Sequence, residues 1–473
     1  MMNTILRYIG AFILPVFLLT LVGCEDKDAN YVRLSSSSFT FSPEGTETFE
    51  IKVEASKSWT VEYVGDWVVE KEKDNSSIKI GATATQSNSD RLAQLVFRAG
   101  DAVEVVNVSQ LGTNVGFSMM DNNSLEVAVS TNGRYVAGVN SQLTGESSYE
   151  YTPFIIDLVT GKRTTKKVLK KNTVAVAISD NGTLVLMDET TWTTFHYDES
   201  DEIIIPKLPA GYKSPTVQGI SADGKIMVGY ARKESDRLDY PVKWTNGNPE
   251  ILPVPEKTGL GELLEQGAMA RGCSADGSVI YGSIWDDKSA IYWKDGKVGF
   301  VGADKMRKHT INVMISGSLV GVEVLDRPIL YAETANMSPN GKYLAVTFRK
   351  VESVDNVQVE FSSPAVFDVE NETLTILTEY PSGFEDGAGR TVSDKGMLSF
   401  SCPAQASTTG FIYNMNSKSV LSTSAFIKQD YGFSFTTEDA IITRIVNDGR
   451  VLLGLNVLVR GSSIQYWYIN VMD

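Results

Sequence analysis

Between Thr48 and Ser56 apolar and polar residues alternate, with Phe49, Ile51, Val53 and Ala55 apolar and their neighbours polar. A two-residue period places one face of a strand against a core and the other in water. Runs of similar character follow at close spacing: "SWTVEYV", "DWVVEKE", "SSIKIGATA", "RLAQLVFRAG" and "AVEVVNVSQLG". So many short strands within residues 31–112 predict a β-sandwich. From Thr113 onward the alternation is organised by a repeat. A Ser-x-Asp/Asn-Gly turn between apolar runs begins at Ser130, Ser179, Ser221, Ser274 and Ser338, with weaker copies at Ser393 and Val446. The glycines of the copies lie 49, 42, 53, 64, 55 and 53 residues apart. Periods of that size belong to propellers, solenoids or arrays.

Asn-Gly and Asp-Gly tolerate positive φ and are strong hairpin signals. The serine can bond its own turn backbone. Strand-like runs lie on both sides of each turn, such as "TVQGIS" before and "KIMVGY" after. A third run, rich in large apolar residues, follows each hairpin, as in "PVKWTNGNPE" and "AIYWKDGKVG", and a fourth can follow it in the first six copies. Four antiparallel strands per repeat describe a propeller blade, and no long stretch has the 3.6-residue period of helices. The seventh copy holds three runs up to Asp473, and "TNVGFSMM" at Thr113–Met120 is placed to supply its fourth. The expectation is an all-β chain: a small immunoglobulin-like sandwich, then a seven-bladed propeller over residues 113–473 with three-plus-one closure. Six or eight blades are the alternatives, because the 64-residue gap holds an insertion.

The amino terminus departs from this pattern. Residues 1–23 carry one charge, Arg7, and an apolar run from Ile9 to Leu21, the form of a secretory signal. Leu21-Val22-Gly23-Cys24 resembles a bacterial lipobox, which implies cleavage before Cys24 and lipidation of its thiol; an ordinary signal with an incidental cysteine is the alternative. The acidic linker of residues 24–30 resembles the surface-export signal of Bacteroidetes lipoproteins. Together these imply a lipid anchor on the outer membrane, exposed at the cell surface. The net charge of −15 offers no basic stripe for nucleic acid. Two histidines are too few for a multi-histidine metal centre. Cys273 and Cys402 are expected as buried free thiols.

Further resemblances rest on particular residues. Trp59-Thr60-Val61, Asp66-Trp67, Asn88 with Arg91-Leu92-Ala93, and Val108-Ser109-Gln110-Leu111-Gly112 together resemble a BACON domain. That family is a small immunoglobulin-like sandwich named for proposed carbohydrate binding. No sugar-binding residue follows from the resemblance; Trp59 and Trp67 read as core residues, and the domain can equally be a spacer. The repeated turn resembles the blades of TolB-like and WD-type propellers. Gly-His is absent and Trp-Asp occurs once, at Trp285-Asp286, so the WD subtype is disfavoured.

No nucleophile elbow, Walker loop, dinucleotide fingerprint, zinc-protease motif or calcium loop is present, and no catalytic residue, metal or cofactor is expected. Adjacent carboxylates such as Asp286-Asp287 read as loop charges. The third-run aromatics Trp244, Trp293, Phe367 and Tyr413 read as packing between blades. Function is expected in what the repeat does not share. Three residues before the motif serine, the first strands carry Val127, Val176 and Ala335 in blades one, two and five, but Gln218, Arg271 and Arg390 in blades three, four and six. Arg271 and Arg390, with Arg444 nearby, are candidates for a cationic channel lining that receives a uronate, sialate or sulfate; internal ion pairs are the alternative. Trp285 and Tyr431 are candidates for stacking on a sugar. The leading expectation is a monomeric surface protein that binds a polysaccharide or a mucin-type glycoprotein glycan in polysaccharide utilisation. The alternatives are a scaffold with a protein partner on the propeller, and a propeller lyase or glycoside hydrolase.

Overall fold

The computed structural model describes residues 30–41, 45, 47–85, 91–110, 116–120, 124–143, 149–197, 202–331, 336–378, 384, 386–403, 408–433, 440–457 and 464–471. Cys24, Asn88 and Ala335 lie outside these residues. Two compact units are distinguished: the first holds the described residues up to 110 together with 430–432, and the second those from 116 to 429 and from 433 onward.

The first unit is a sandwich of two four-stranded sheets. One holds Val32–Leu34, Phe49–Ala55, Ser77–Ala82 and Val68–Lys73; the other holds Ser38–Phe41, Ala102–Gln110, Arg91–Ala99 and Thr60–Val64. Ser38–Phe41 runs parallel to its neighbour and the other pairs are antiparallel. Alternation decides the facing: Ile51, Ile78, Ile80, Leu95, Phe97 and Val106 are fully buried between the sheets, each contributing about 1.5–3 kcal/mol. Trp67 is buried in this core, and Trp59 packs partly buried against it. Arg91 stacks on Trp67 at 4.8 Å, donates to Gln110 Oε1 at 2.8 Å and to the Thr83 carbonyl at 2.7 Å. Gln110 Nε2 donates to the same carbonyl, so the spaced Trp, Arg and Gln form one knot.

The second unit is a β-propeller. Blade four shows the pattern: Ala268–Cys273, Val279–Ile284, Ala290–Lys294 and Lys297–Phe300 in sequential antiparallel order. The other inner strands are Ser124–Val129, Thr173–Ile178, Tyr212–Ile220, Ala388–Val392 and Ala440–Val446, and in blade five Arg327–Ile329 with Met337. The insertion in the 64-residue gap is a hairpin, Arg307–Ile315 and Ser318–Ile329, whose second strand continues into blade five. It has its own core of Ile311, Val313, Val324 and Val351. Closure is as the sequence predicts: Gly116–Met119 pairs antiparallel with Ile464–Asn470, Trp467 opposite Met119. The last blade thus takes its fourth strand from before the first, which removes two open sheet edges.

Four of the five strong copies of the turn fold into the same knot, and at Ser179 it closes one residue earlier, on the Thr183 N–H. In blade three the Ser221 hydroxyl donates to Asp223 Oδ1 (2.7 Å), the Lys225 N–H donates to the same oxygen (3.0 Å), and the Ile226 N–H donates to Ser221 Oγ (3.0 Å). Gly224, at φ 75, closes the turn by donating to the Ser221 carbonyl. Ser130, Ser274 and Ser338 repeat it. The second motif residue faces the next blade: the N–H groups of Asp180, Ala222 and Ala275 donate to the carbonyls of Ala222, Ala275 and Pro339 at 2.7–2.8 Å. The weak copies differ where their residues do. Lys395 brings no acceptor to the turn at Ser393, and Asn447–Gly449 forms a single 3₁₀ turn.

Candidate ligand-binding channel

Inner strands are interrupted by a β-bulge at the position where the blades differ. The pairing slips between Ala175 and Ala177, Val217 and Gly219, Ala270 and Gly272, Gly389 and Thr391, and Ile442 and Arg444. The extra residues are therefore Val176, Gln218, Arg271, Arg390 and Thr443. A bulge leaves a residue outside the ladder and re-aims its side chain. Here it turns the position three before the motif serine off the sheet face. Thr443, which the sequence analysis passed over, occupies that place in blade seven.

A cavity of about 1250 Å³ is ringed by residues of all seven blades, as a channel along the propeller axis is. Gln218, Arg271, Trp285, Thr443 and Arg444 line it, with Tyr230 and Tyr281 from the second strands of blades three and four. The tyrosines carry no motif that sequence alone would flag. Tyr281 reaches its place because residue 272 is glycine: a Cβ there would sit 2.3 Å from the phenol oxygen. Gly219 meets the Gly272 backbone in the same way, with a Cβ 2.7 Å from its Cα. Tyr281 also accepts the Asn336 N–H at 3.2 Å, and burial pushes its phenol pKa up.

Arg271 is the unusual charge. Among the described residues its hydrogen bond is a long one, Nε to Ser283 Oγ at 3.4 Å. No carboxylate among the described residues comes within ion-pair distance. Burial lowers its pKa, opposed by the phenols of Tyr281 and Tyr230. The alternative of an internal ion pair is thus not met at Arg271 among the described residues. Two arginines outside the channel have carboxylate partners: Arg232 forms a two-pronged pair with Asp239 (2.9 and 3.1 Å), and Arg349 pairs with Glu360. A guanidinium kept partly from water without a counter-ion is costly and attracts an anion.

The other candidates separate. Arg444 lines the channel and donates to the Thr443 carbonyl at 2.8 Å. Trp285 lines it with its Nε1 buried and without an acceptor among the described residues, its ring edge-on to Tyr230 at 6.0 Å. Arg390 sits on its bulge, but its guanidinium lies 3.7 Å over the Tyr331 ring and its Nε donates to Ser401 Oγ at 2.8 Å; it is not in the channel wall. Tyr431 must be corrected. It ends a helix, Thr423–Tyr431, not a loop, and with Phe426 and Ile427 it forms the buried face of that helix, 8 % exposed and away from the channel wall. Asp286 and Asp287 accept backbone N–H groups of residues 265, 266, 259 and 289, so they hold loops in place.

No family model matches this chain, and no curated protein does. Solved structures with some likeness include virginiamycin B lyase from Staphylococcus aureus (10% identity, 74% of this chain and 98% of that one, TM-score 0.40). A TolB-like protein from Agrobacterium tumefaciens matches at 14% identity over 58% and 88% of the two chains, TM-score 0.34. An auxiliary nutrient binding protein from Bacteroides thetaiotaomicron matches at 10% over 78% and 94%, TM-score 0.28. Values this low say nothing about what this chain binds.

Proposed function

We propose that the protein is a binding protein whose propeller channel receives an acidic group of a glycan, with Arg271 as the principal anion contact. The observation that carries this is the guanidinium of Arg271, carried on a bulge in the channel wall, with no carboxylate among the described residues within ion-pair distance. Arg444 adds positive charge, and Gln218 and Thr443 supply polar side chains on the same wall. The lipobox-like segment supports tethering at the outer membrane, and the BACON-like sandwich serves as a spacer. No reaction is assigned to the channel.

Residues 25–473 screened against a glycan array should favour uronate-, sialate- or sulfate-bearing chains. Arg271→Ala should weaken the best of these roughly ten- to hundredfold, the worth of a hydrogen bond to a charged group, with the melting temperature nearly unchanged. A collapse of the melt would make Arg271 a structural residue and place the site elsewhere.

A further inference from the structure

We infer that the channel binds the end of an acidic glycan chain, the acid group inward at Arg271 and the following rings leaving over an aromatic platform of Trp192 and Tyr149. The inference rests on the anion reading above and extends it to a chain-end site. Trp192 follows the second strand of blade two, Leu184–Asp188. Its φ of 57° lies in the left-handed region, where a bulky residue is a true outlier. It is held there from both sides: its N–H donates to the Asp188 carbonyl at 2.8 Å, and its own carbonyl accepts the Thr216 hydroxyl of blade three at 2.7 Å. Neither bond involves the indole, which is 57 % exposed and lines the channel. Strain maintained around a side chain that buries little points to a functional role.

Tyr149 is 49 % exposed and lies beside Tyr151, ring centroids 6.4 Å apart, and both line the same channel. Glu189 and Asn172, bonded to each other at 2.7 Å, line it too. Aromatic faces beside a carboxylate and an amide suit the apolar face and the hydroxyls of a pyranose. The depth follows from register. Val176 holds in blade two the place that Arg271 holds in blade four, and Thr173, three residues towards the platform, pairs with Asp188. Three strand residues span roughly 10 Å, about the length of two linked pyranose rings. Blade four repeats the level, where Ala268 pairs with Ile284 and Trp285 follows. A channel ringed by inner strands admits a chain end, whereas the middle of a chain needs an open groove.

The test is calorimetric titration of residues 25–473 with oligogalacturonates from monomer to tetramer, sialyl-lactose, sulfated chondroitin oligosaccharides and uncharged galacto-oligosaccharides of matched length. Affinity for the acidic series should rise from monomer to trimer and then level off. Trp192→Gly should remove that gain, lowering trimer affinity about tenfold while leaving the monomer unaffected. Because glycine relieves the left-handed backbone, the melting midpoint should stay level or rise. An unchanged length gain in Trp192→Gly, or equal affinity for acidic chains blocked at both ends, overturns the chain-end inference and leaves the anion site standing. Loss of the melt in Trp192→Gly assigns the residue to structure and also overturns it. Binding that ignores Arg271→Ala, or no binding of any acidic chain, overturns both readings.

Discussion

Asp223 shows how much one repeated residue does. Its Oδ1 accepts the Lys225 N–H and the Ser221 hydroxyl, and these bonds, the backbone one foremost, pull its pKa down to about 2. A carboxyl whose folded pKa lies below its unfolded one stabilises the fold above the unfolded value, about 4. That stability is lost as pH falls through the folded value. Asn132 and Asn340 make the same bonds without a charge. Asp223→Asn should therefore melt like the parent at pH 7 and lose less stability between about pH 4 and pH 2, measured by thermal melts followed by circular dichroism. Identical pH slopes would show that the charge at this turn is immaterial. At this scale Arg271 was legible, because the repeat aligns it with Val127 and Val176 and makes it the odd residue. Tyr230 and Tyr281 were not, since their access to the channel depends on Thr216 and Gly272 across the strand pair.

The element that carries the site is the bulged inner strand. Alternation predicts its strand character, but a two-residue period cannot report an extra residue that breaks it. The bulge decides that Gln218, Arg271 and Thr443 face the channel, and the glycines that follow in blades three and four let neighbouring backbones close up. Gly219→Ala would drive a Cβ to 2.7 Å from the Gly272 Cα. Backbone cannot rotate away as a side chain can, so the change should cost about 1–3 kcal/mol, read by urea denaturation, and should weaken acidic-glycan binding by displacing Arg271. A variant as stable as the parent would refute the close approach. The helix Thr423–Tyr431 marks the opposite limit: its nine residues lie among loop-like neighbours, too short for periodicity to identify.

Across the whole molecule, the ring is closed by a strand that precedes the first blade, and a cationic wall is enclosed in a protein of net charge −15. Such a protein presents a negative exterior to an acidic ligand, so specificity rests on the channel and not on long-range attraction. Tethering is the other whole-molecule proposal. Cys24→Ser should move the protein from the membrane pellet to the soluble fraction; a processed variant that still pellets would end the lipobox reading. What the sequence by itself determined is what neighbours in the chain decide: the Ser-x-Asp/Asn-Gly knot, whose bonds span at most five residues, the strand alternation, and the count of copies that makes a ring of seven. Even closure was readable, because the seventh copy lacked a strand and a spare one stood at Thr113–Met120. Tertiary structure alone decided which side chains meet. Arg271 has no carboxylate among the described residues within ion-pair distance, while Arg390, on an equivalent bulge, is covered by Tyr331. Trp192 is held left-handed by a hydroxyl from the next blade. These outcomes depend on groups brought close by packing from distant positions, and no local pattern encodes which partner will arrive.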